Sequence, residues 1–216
     1  MRMTRPALLL LTLGIVSLSP LSAQLPPRAG DPKKEEKTPE PPSERDRERI
    51  RERNQRKAQE AWARDKKKRS AKDYAAMESE YQNINTNFKS PEVKTLLNDF
   101  IKKWKDGNRV GCATLYLAQK SGGDEREKLL ETCVKKFSDA YYLDGCSVGG
   151  LSRLYLAGHL NQFGKKAAAK KLIAEIEKDY AEAVDHKGGL LIEQLEELKK
   201  WVLPESAGGG EFGNRN

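Results

Sequence analysis

The chain has 216 residues, of which 40 are Lys or Arg and 32 are Asp or Glu, giving a formal net charge of +8. Three cysteines without a Cys-x-x-Cys pair and two separated histidines do not match the ligand patterns of zinc or dithiol redox proteins. The glycine-rich stretches also lack the features of a phosphate-binding loop. The sequence therefore predicts a protein that is not an enzyme, with no catalytic residues, cofactor or metal.

The first 23 residues are typical of an export signal. Arg2 and Arg5 precede an apolar run over residues 7–18, and Leu21-Ser22-Ala23 provides a small-residue cleavage site. Twelve apolar residues form about 18 Å of helix, which is shorter than the roughly 30 Å hydrocarbon core of a membrane. We therefore expect residues 1–23 to be removed, leaving a soluble periplasmic or secreted chain.

A change in composition separates a linker from a basic segment. Residues 24–42 contain six of the ten prolines among charged residues and predict a disordered linker. Residues 43–72 predict a basic charged helix: Ser43 is a suitable N-cap, and residues 44–72 contain neither Pro nor Gly. These 29 residues hold thirteen basic and six acidic side chains, whereas the chain from Asp73 onward holds 21 basic and 22 acidic ones. The basic character thus belongs to this single segment.

Three interpretations of the basic helix remain open. Opposite charges at neighbouring helical positions, each pair contributing about 0.2–0.5 kcal/mol, can support a solvated helix that has no packing partner. The helix could instead form a short coiled coil that oligomerises the protein. The third interpretation is contact with an anionic envelope surface, through Arg45, Arg49, Arg53, Arg56, Lys66, Lys67, Lys68 and Arg69. Nucleic acid is a disfavoured partner, because the segment lacks interleaved aromatic residues that stack on bases.

Apolar residues at helical spacing predict three helix pairs and a final helix over residues 73–203. The first pair has apolar stripes from Tyr74 to Phe88 and from Val93 to Trp104, and Ser90-Pro91 is expected to begin its second helix. The second pair covers about residues 109–137, with Asp124 and Glu127 as a capping box. The third pair runs from about residue 146 to 180, and a capping helix follows over 190–203. Residues 204–216 predict a disordered tail.

Internal repeats indicate how these pairs assemble. Leu115-Tyr116-Leu117-Ala118 recurs 39 residues later as Leu154-Tyr155-Leu156-Ala157. The second helices of the first two pairs align at an offset of 33, and those of the last two end at an offset of 43. Because one helix pair cannot bury its own apolar face, such repeats stack on their neighbours. We predict an all-α fold, with antiparallel helix pairs stacked as a short array and closed by a C-terminal capping helix.

Several residues place this array close to a known repeat family. Leu156, Ala157, Gly164, Ala169 and Tyr180 occupy positions where tetratricopeptide repeats have a Leu, a small residue, a glycine turn, an alanine and a closing aromatic residue. Residues 74–203 therefore resemble a degenerate tetratricopeptide-like array, without the usual tryptophan start. With its export signal and charged helix, the chain is similar in layout to bacterial envelope proteins that contain such repeats. The resemblance implies a protein or peptide partner bound to the repeat surface.

The cysteines and two tyrosines are further candidates for function. Cys112 and Cys133 lie on facing helices of one predicted pair and form a candidate disulfide. Alternatively, Cys133 is a small buried residue, because Phe100 occupies its place in the preceding pair. Cys146 lies in a connection and is the candidate accessible thiol. Tyr141 and Tyr142, in the same connection, are candidate partner contacts.

The two histidines carry no predicted chemistry. His159 is expected at the polar edge of a repeat helix, and His186 is expected in the turn before the capping helix.

Three functions follow from the sequence as hypotheses. The first is a non-enzymatic exported scaffold that binds an envelope or secreted partner. The second is a helical accessory domain of a thioredoxin-like thiol-redox system, and the third is a tether to anionic envelope surfaces through the basic helix.

Overall fold

The computed structural model of the protein describes residues 41–202, which form an all-α fold and so confirm the predicted fold class. Within this range the backbone forms no strand, only two isolated bridges, Tyr141–Ser147 and Val184–Leu190. Eight helices cover the described residues: α1 (Glu44–Lys68), α2 (Ala71–Thr86), α3 (Val93–Trp104), α4 (Asn108–Lys120), α5 (Gly123–Lys136), α6 (Val148–Gln162), α7 (Lys166–Asp179) and α8 (Leu191–Val202).

Three of the sequence predictions lie outside the described residues. These are the export signal at 1–23, all but the last two residues of the linker at 24–42, and the tail at 204–216. Across residues 41–202, every helix is too short or too polar to cross a membrane.

Helices α2 to α7 form three consecutive pairs, α2–α3, α4–α5 and α6–α7, and α8 packs against both helices of the last pair. Each pair also contacts the next, because α3 packs on α4 and α5 packs on α6. The central helices α4 and α6 are buried along most of their length. Apolar side chains from all seven helices join one core.

Two glycines allow close crossings between the helices and the second connection. A Cβ atom on Gly111 would lie 2.8 Å from the Ala140 Cβ, and one on Gly149 would lie 2.4 Å from the Ser138 carbonyl oxygen. Both distances are shorter than van der Waals contact, so α4 and α6 cross the second connection at a separation that only glycine permits.

The pairs are joined along one edge of the array by three connections: the first at residues 105–107, the second at 137–147 and the third at 180–190. The second and third connections share one conformation. Each contains an isolated bridge, at Tyr141–Ser147 and Val184–Leu190, and each turns at a glycine with positive φ, Gly145 or Gly188. The repeat offset of 43 therefore extends from the helices into the connections.

Some helix ends differ from the prediction. Helix α3 begins at Val93, and the Ser90 hydroxyl accepts a hydrogen bond from the Glu92 N–H in the preceding turn. The capping box at Asp124 and Glu127 is wrong: Gly122 is the N-cap of α5 and supplies no side-chain cap. The Glu127 carboxylate instead accepts a hydrogen bond at 2.7 Å from the side chain of Lys165, the residue that precedes α7.

The basic segment is divided between two helices. Ser43 caps α1 as predicted, its hydroxyl accepting a hydrogen bond from the Asp46 N–H. The helix ends at Lys68, four residues before the predicted boundary, because Ser70 caps a new helix by accepting from the Asp73 N–H. The segment over 43–72 is therefore α1 and the first two residues of α2.

Candidate interaction surfaces

Helix α1 lies across the three connections of the array. Its 25 residues span about 37 Å, the length of several stacked helices. Five side chains at spacings of three or four residues are buried against the connections, namely Ile50, Asn54, Ala58, Ala61 and Asp65. The interpretation of α1 as a solvated helix without a packing partner is therefore wrong.

At its N-terminal end, α1 contacts the third connection. The Asn54 side-chain amide donates a hydrogen bond to the Glu182 carbonyl at 2.7 Å. Ile50 packs with Val184 and Leu190 in a small apolar cluster separate from the main core. One polar anchor and one apolar anchor thus hold this end of α1.

At its other end, α1 caps α4. The Asp65 carboxylate accepts hydrogen bonds from the backbone N–H groups of Asn108 at 2.9 Å and Arg109 at 3.0 Å. These groups belong to the first turn of α4, which has no cap from its own N-cap residue, Gly107. A Cβ atom on Gly107 would lie 2.3 Å from an Asp65 carboxylate oxygen, so the approach requires glycine. Asp65 is therefore an N-cap supplied by a distant helix.

One acidic residue in each connection pairs with an arginine of α1 or of its C-cap position, Arg69. The three acidic residues are separated by 33 and 43 residues, which are the repeat offsets of the helices. We call these acidic residues the acidic ladder. The pairs are Asp106 with Arg69 at 3.1 Å, Asp139 with Arg64 at 3.1 Å and Glu182 with Arg53 at 3.3 Å. Each connection therefore holds α1 by an ion pair, and these pairs recur at the spacing of the repeat.

These contacts change the predicted anionic-surface site. Arg69 has only 9% of its side chain exposed and pairs with Asp65 and Asp106, so its assignment to that site is wrong. Arg53 pairs with Glu182 but remains partly exposed. The other six predicted residues are exposed on α1, namely Arg45, Arg49, Arg56, Lys66, Lys67 and Lys68.

A buried arginine joins α1, α2 and α4. The Arg109 guanidinium lies 3.4 Å from the centre of the Trp62 ring and 4.3 Å from that of Tyr81. Its Nε and Nη2 donate hydrogen bonds to the two carboxylate oxygens of Glu78 at 2.7 and 2.5 Å. The charge of Arg109 is thus neutralised within the fold, as a buried cation requires.

Next to Arg109, a cleft of about 210 Å³ opens between α2, α4 and the turns of the second and third connections. We call it the aromatic cleft. Its mouth carries the exposed amides of Gln82 and Asn85 and the exposed Leu143. Rings follow one another along it: the Tyr116 ring lies 5.2 Å from the Tyr142 ring, which lies 4.6 Å from the His186 ring. The cleft combines aromatic surface with hydrogen-bonding groups.

Of the two tyrosines predicted to contact a partner, Tyr142 is buried, and its assignment as an exposed contact is wrong. Its hydroxyl donates a hydrogen bond to the Cys112 carbonyl at 3.1 Å, and burial raises its pKa well above the ordinary value. Tyr141 is half-buried, and its backbone N–H and carbonyl both pair with the Asn108 side chain. Both residues therefore help to fix the second connection, and Tyr116 is the partly exposed tyrosine of the cleft.

Asp144 and His186 form a pair that sequence reasoning missed. The Asp144 carboxylate lies 2.8 Å from the His186 Nδ1 and accepts a hydrogen bond from the Cys146 N–H at 3.0 Å. Burial alone would raise the pKa of Asp144, but the hydrogen bonds from His186 and the Cys146 backbone outweigh it and lower this pKa. The two residues lie 42 positions apart, in turns that correspond at the repeat offset of 43. That offset was the available signal that these turns are neighbours.

The cysteines are three buried free thiols. The candidate disulfide between Cys112 and Cys133 is not formed, and the Cys112 thiol instead lies 3.5 Å from the Tyr141 carbonyl. The predicted accessibility of Cys146 is wrong, because its connection folds back against α6. Burial raises the pKa of all three thiols, that of Cys133 to about 12.

His159 is buried, whereas the sequence predicted it at the polar edge of a helix. Its Nε2 lies 3.6 Å from the Glu127 carboxylate.

Over residues 41–202, no three His, Cys, Asp or Glu side chains are grouped so that they could hold a metal ion. Comparison with known proteins does not identify a relative: no family model, curated protein or solved structure matches the chain.

Proposed function

We propose that the protein is a non-enzymatic exported scaffold whose aromatic cleft binds a segment of a partner protein. The observation that supports this most is the mouth of the cleft, where apolar and hydrogen-bonding groups face solvent together. Leu143 is 57% exposed, and the amides of Gln82 and Asn85 lie opposite it on α2. Such a surface suits a peptide, because side-chain amides can bind its backbone while an aromatic floor accepts its side chains.

The charge of the cleft favours a partner segment that carries a basic side chain. Asp144 is the acidic residue among the described residues that line the cleft, and its lowered pKa keeps it ionised at neutral pH. Arg109 also lines the cleft, but its positive charge is neutralised by Glu78. Aromatic faces attract cations by about 0.5–1 kcal/mol at exposed sites. A Lys or Arg flanked by apolar residues is therefore the partner chemistry that the cleft suits best.

The wider assignment rests on the sequence and on the helix pairs together. Consecutive pairs with recurring connections support a tetratricopeptide-like array, and residues 1–23 support export to a periplasm or the cell exterior. The three buried thiols do not support an accessory role in a thiol-redox system, because thiols with raised pKa values are not ionised at neutral pH and do not react as nucleophiles. A coiled coil through residues 43–72 is also less favoured, because the apolar side chains of α1 contact the array.

A second candidate function is attachment to an anionic envelope surface. It is favoured by the exposed basic side chains of α1 and by the way the acidic ladder fixes the helix on the array. We place it second because exposed Glu48, Glu52 and Glu60 lie on the same helix and reduce its net charge.

Selection of peptides from a random library against the mature protein, followed by calorimetry, tests the cleft directly. We expect the selected peptides to carry a basic residue and to bind about five- to tenfold more weakly to Leu143→Ser and Asp144→Asn variants. Phe163→Ser is the matched control, because Phe163 is also 57% exposed but lies in the hairpin between α6 and α7. Failure to select any peptide, or equal weakening by Phe163→Ser, would refute the proposal.

A further inference from the structure

Three lysines from three different elements surround one cleft beneath α1. Lys68 is the last residue of α1, Lys105 begins the first connection, and Lys136 is the last residue of α5. The cleft has a volume of about 340 Å³ and is separate from the aromatic cleft. We call it the lysine cleft.

The acidic residues of the lysine cleft are already engaged. Asp65 accepts hydrogen bonds from the backbone of α4, Asp106 pairs with Arg69, and Asp139 pairs with Arg64. By contrast, the three lysines have no ion-pair partner in the part of the chain that the structure describes. Arg64 and Arg69 offset two of the three carboxylate charges, so with its three lysines the cleft keeps a net positive charge.

The backbone holds Lys105 in a conformation that is unusual for a residue with a side chain. Its φ of 60° and ψ of −40°, with a hydrogen bond of 2.7 Å from the Asp106 N–H to the Trp104 carbonyl, define a γ-turn of the strained, positive-φ type. It is the single non-glycine residue with positive φ in residues 41–202. Glycine adopts this conformation more easily, so a lysine here suggests that its ammonium group is used.

We propose that the lysine cleft binds a phosphate group and thereby ties α1 to the array. A phosphate oxyanion accepts charge-assisted hydrogen bonds from several ammonium groups at once. It would also neutralise the positive charge of Lys68, Lys105 and Lys136, which lie on α1, the first connection and α5. A ligand that binds only the docked form stabilises that form by mass action. The phosphate belongs to a small phosphorylated molecule or to a lipid headgroup, and this site is independent of partner binding in the aromatic cleft.

Calorimetric titration of the full chain with inorganic pyrophosphate, at fixed ionic strength, tests the site. We expect saturable binding at one site per chain, weakened about tenfold by Lys136→Ala. Lys128→Ala removes another exposed lysine of α5 that does not line the cleft, so this variant should bind like the parent chain. Lys105→Gly should also weaken binding while raising the Tm by about 2 °C, because it relieves the strained turn. A variant that loses binding yet gains stability cannot be explained by misfolding.

Phosphatidylcholine vesicles with and without phosphatidylglycerol distinguish the two sources of phosphate. Pyrophosphate binding that depends on Lys136 assigns a small phosphorylated molecule. Vesicle binding that requires phosphatidylglycerol and Lys136, without pyrophosphate binding, assigns a headgroup. The proposal is overturned if neither probe binds, or if Lys128→Ala weakens binding as much as Lys136→Ala does, because the effect would then follow net charge alone.

Discussion

The cap that α1 provides to α4 makes a quantitative prediction about Asp65. The carboxylate has 3% of its surface exposed and accepts two backbone hydrogen bonds, from Asn108 and Arg109. In an Asp65→Ala variant both N–H groups lose their acceptor, and Arg69 keeps only Asp106 as an ion-pair partner. We therefore expect the variant to weaken both the start of α4 and the docking of α1.

Two contributions set the size of the effect. Loss of an N-cap side chain costs about 1 kcal/mol. A buried donor left without an acceptor costs about 1–3 kcal/mol. Because water can reach part of the site once the carboxylate is gone, we expect Asp65→Ala to lower the free energy of unfolding by about 3 kcal/mol in total. An Asp65→Asn variant keeps one acceptor oxygen and should lose about half as much.

Urea unfolding of the full chain, followed by circular dichroism, measures this difference. Asp139→Ala is the matched control, because Asp139 also pairs with an arginine of α1 but has 81% of its side chain exposed. Exposed ion pairs contribute about 0–1 kcal/mol, so this variant should unfold almost like the parent chain. Equal and small losses for Asp65→Ala and Asp139→Ala would show that Asp65 does not cap α4.

Three further predictions concern packing, pH and thiol reactivity. Gly149→Ala should lower the free energy of unfolding by about 2 kcal/mol because its Cβ would meet the Ser138 carbonyl. By contrast, Gly158→Ala, whose Cβ would lie 4.0 Å from the Leu198 Cδ1 in ordinary van der Waals contact, should raise this energy by about 0.5–1 kcal/mol. Thermal unfolding of both variants checks the contrast, and equal effects would contradict the close crossing. The lowered pKa of Asp144 means that its ionised form stabilises the fold above about pH 4 and that this contribution is lost as the pH falls through the folded-state pKa. Acid unfolding of Asp144→Asn should therefore be less steep than that of the parent chain, and identical curves would contradict the lowered pKa. A thiol reagent at pH 8 should modify the folded protein slowly and should modify three thiols after unfolding; fewer than three would indicate a disulfide.

The array could be predicted from the sequence because its information is local. Apolar stripes such as that of Tyr74, Tyr81 and Ile84 identify the helices, and the offsets of 33 and 43 identify the pairs. The predicted helix ends were less accurate, because helix ends depend on backbone turns that leave little signal in the sequence.

The docking of α1 could not be predicted, because its buried face mixes apolar and polar residues and does not form a continuous apolar stripe. Two of its five buried residues are Asn54 and Asp65, which bind backbone groups more than 40 residues away. In sequence, such polar residues are indistinguishable from a solvated face. In the sequence, the residues of the acidic ladder are three isolated acidic residues. Their common role becomes clear only when the arginines of α1 and of its C-cap are placed beside them.

The aromatic cleft was missed for a related reason. Tyr142 looked exposed because it lies in a connection, but the connection folds back into the array and buries it. Asp144 and His186 come together because two turns with the same conformation stack in space. The repeat offset of 43 indicates that the two turns correspond, but it does not show which side chains of the two turns meet.

Hydrogen–deuterium exchange of the full chain, with and without a selected peptide, tests the central claim most directly. If the aromatic cleft binds the partner, the peptide should slow exchange at four segments that line it: residues 82–85 of α2, the backbone around Tyr116, residues 142–145 and residues 185–188. The hairpin at 163–165 should exchange unchanged. Protection confined to that hairpin, or to the outer surface of α1, would show that the partner binds elsewhere and would contradict the proposed function.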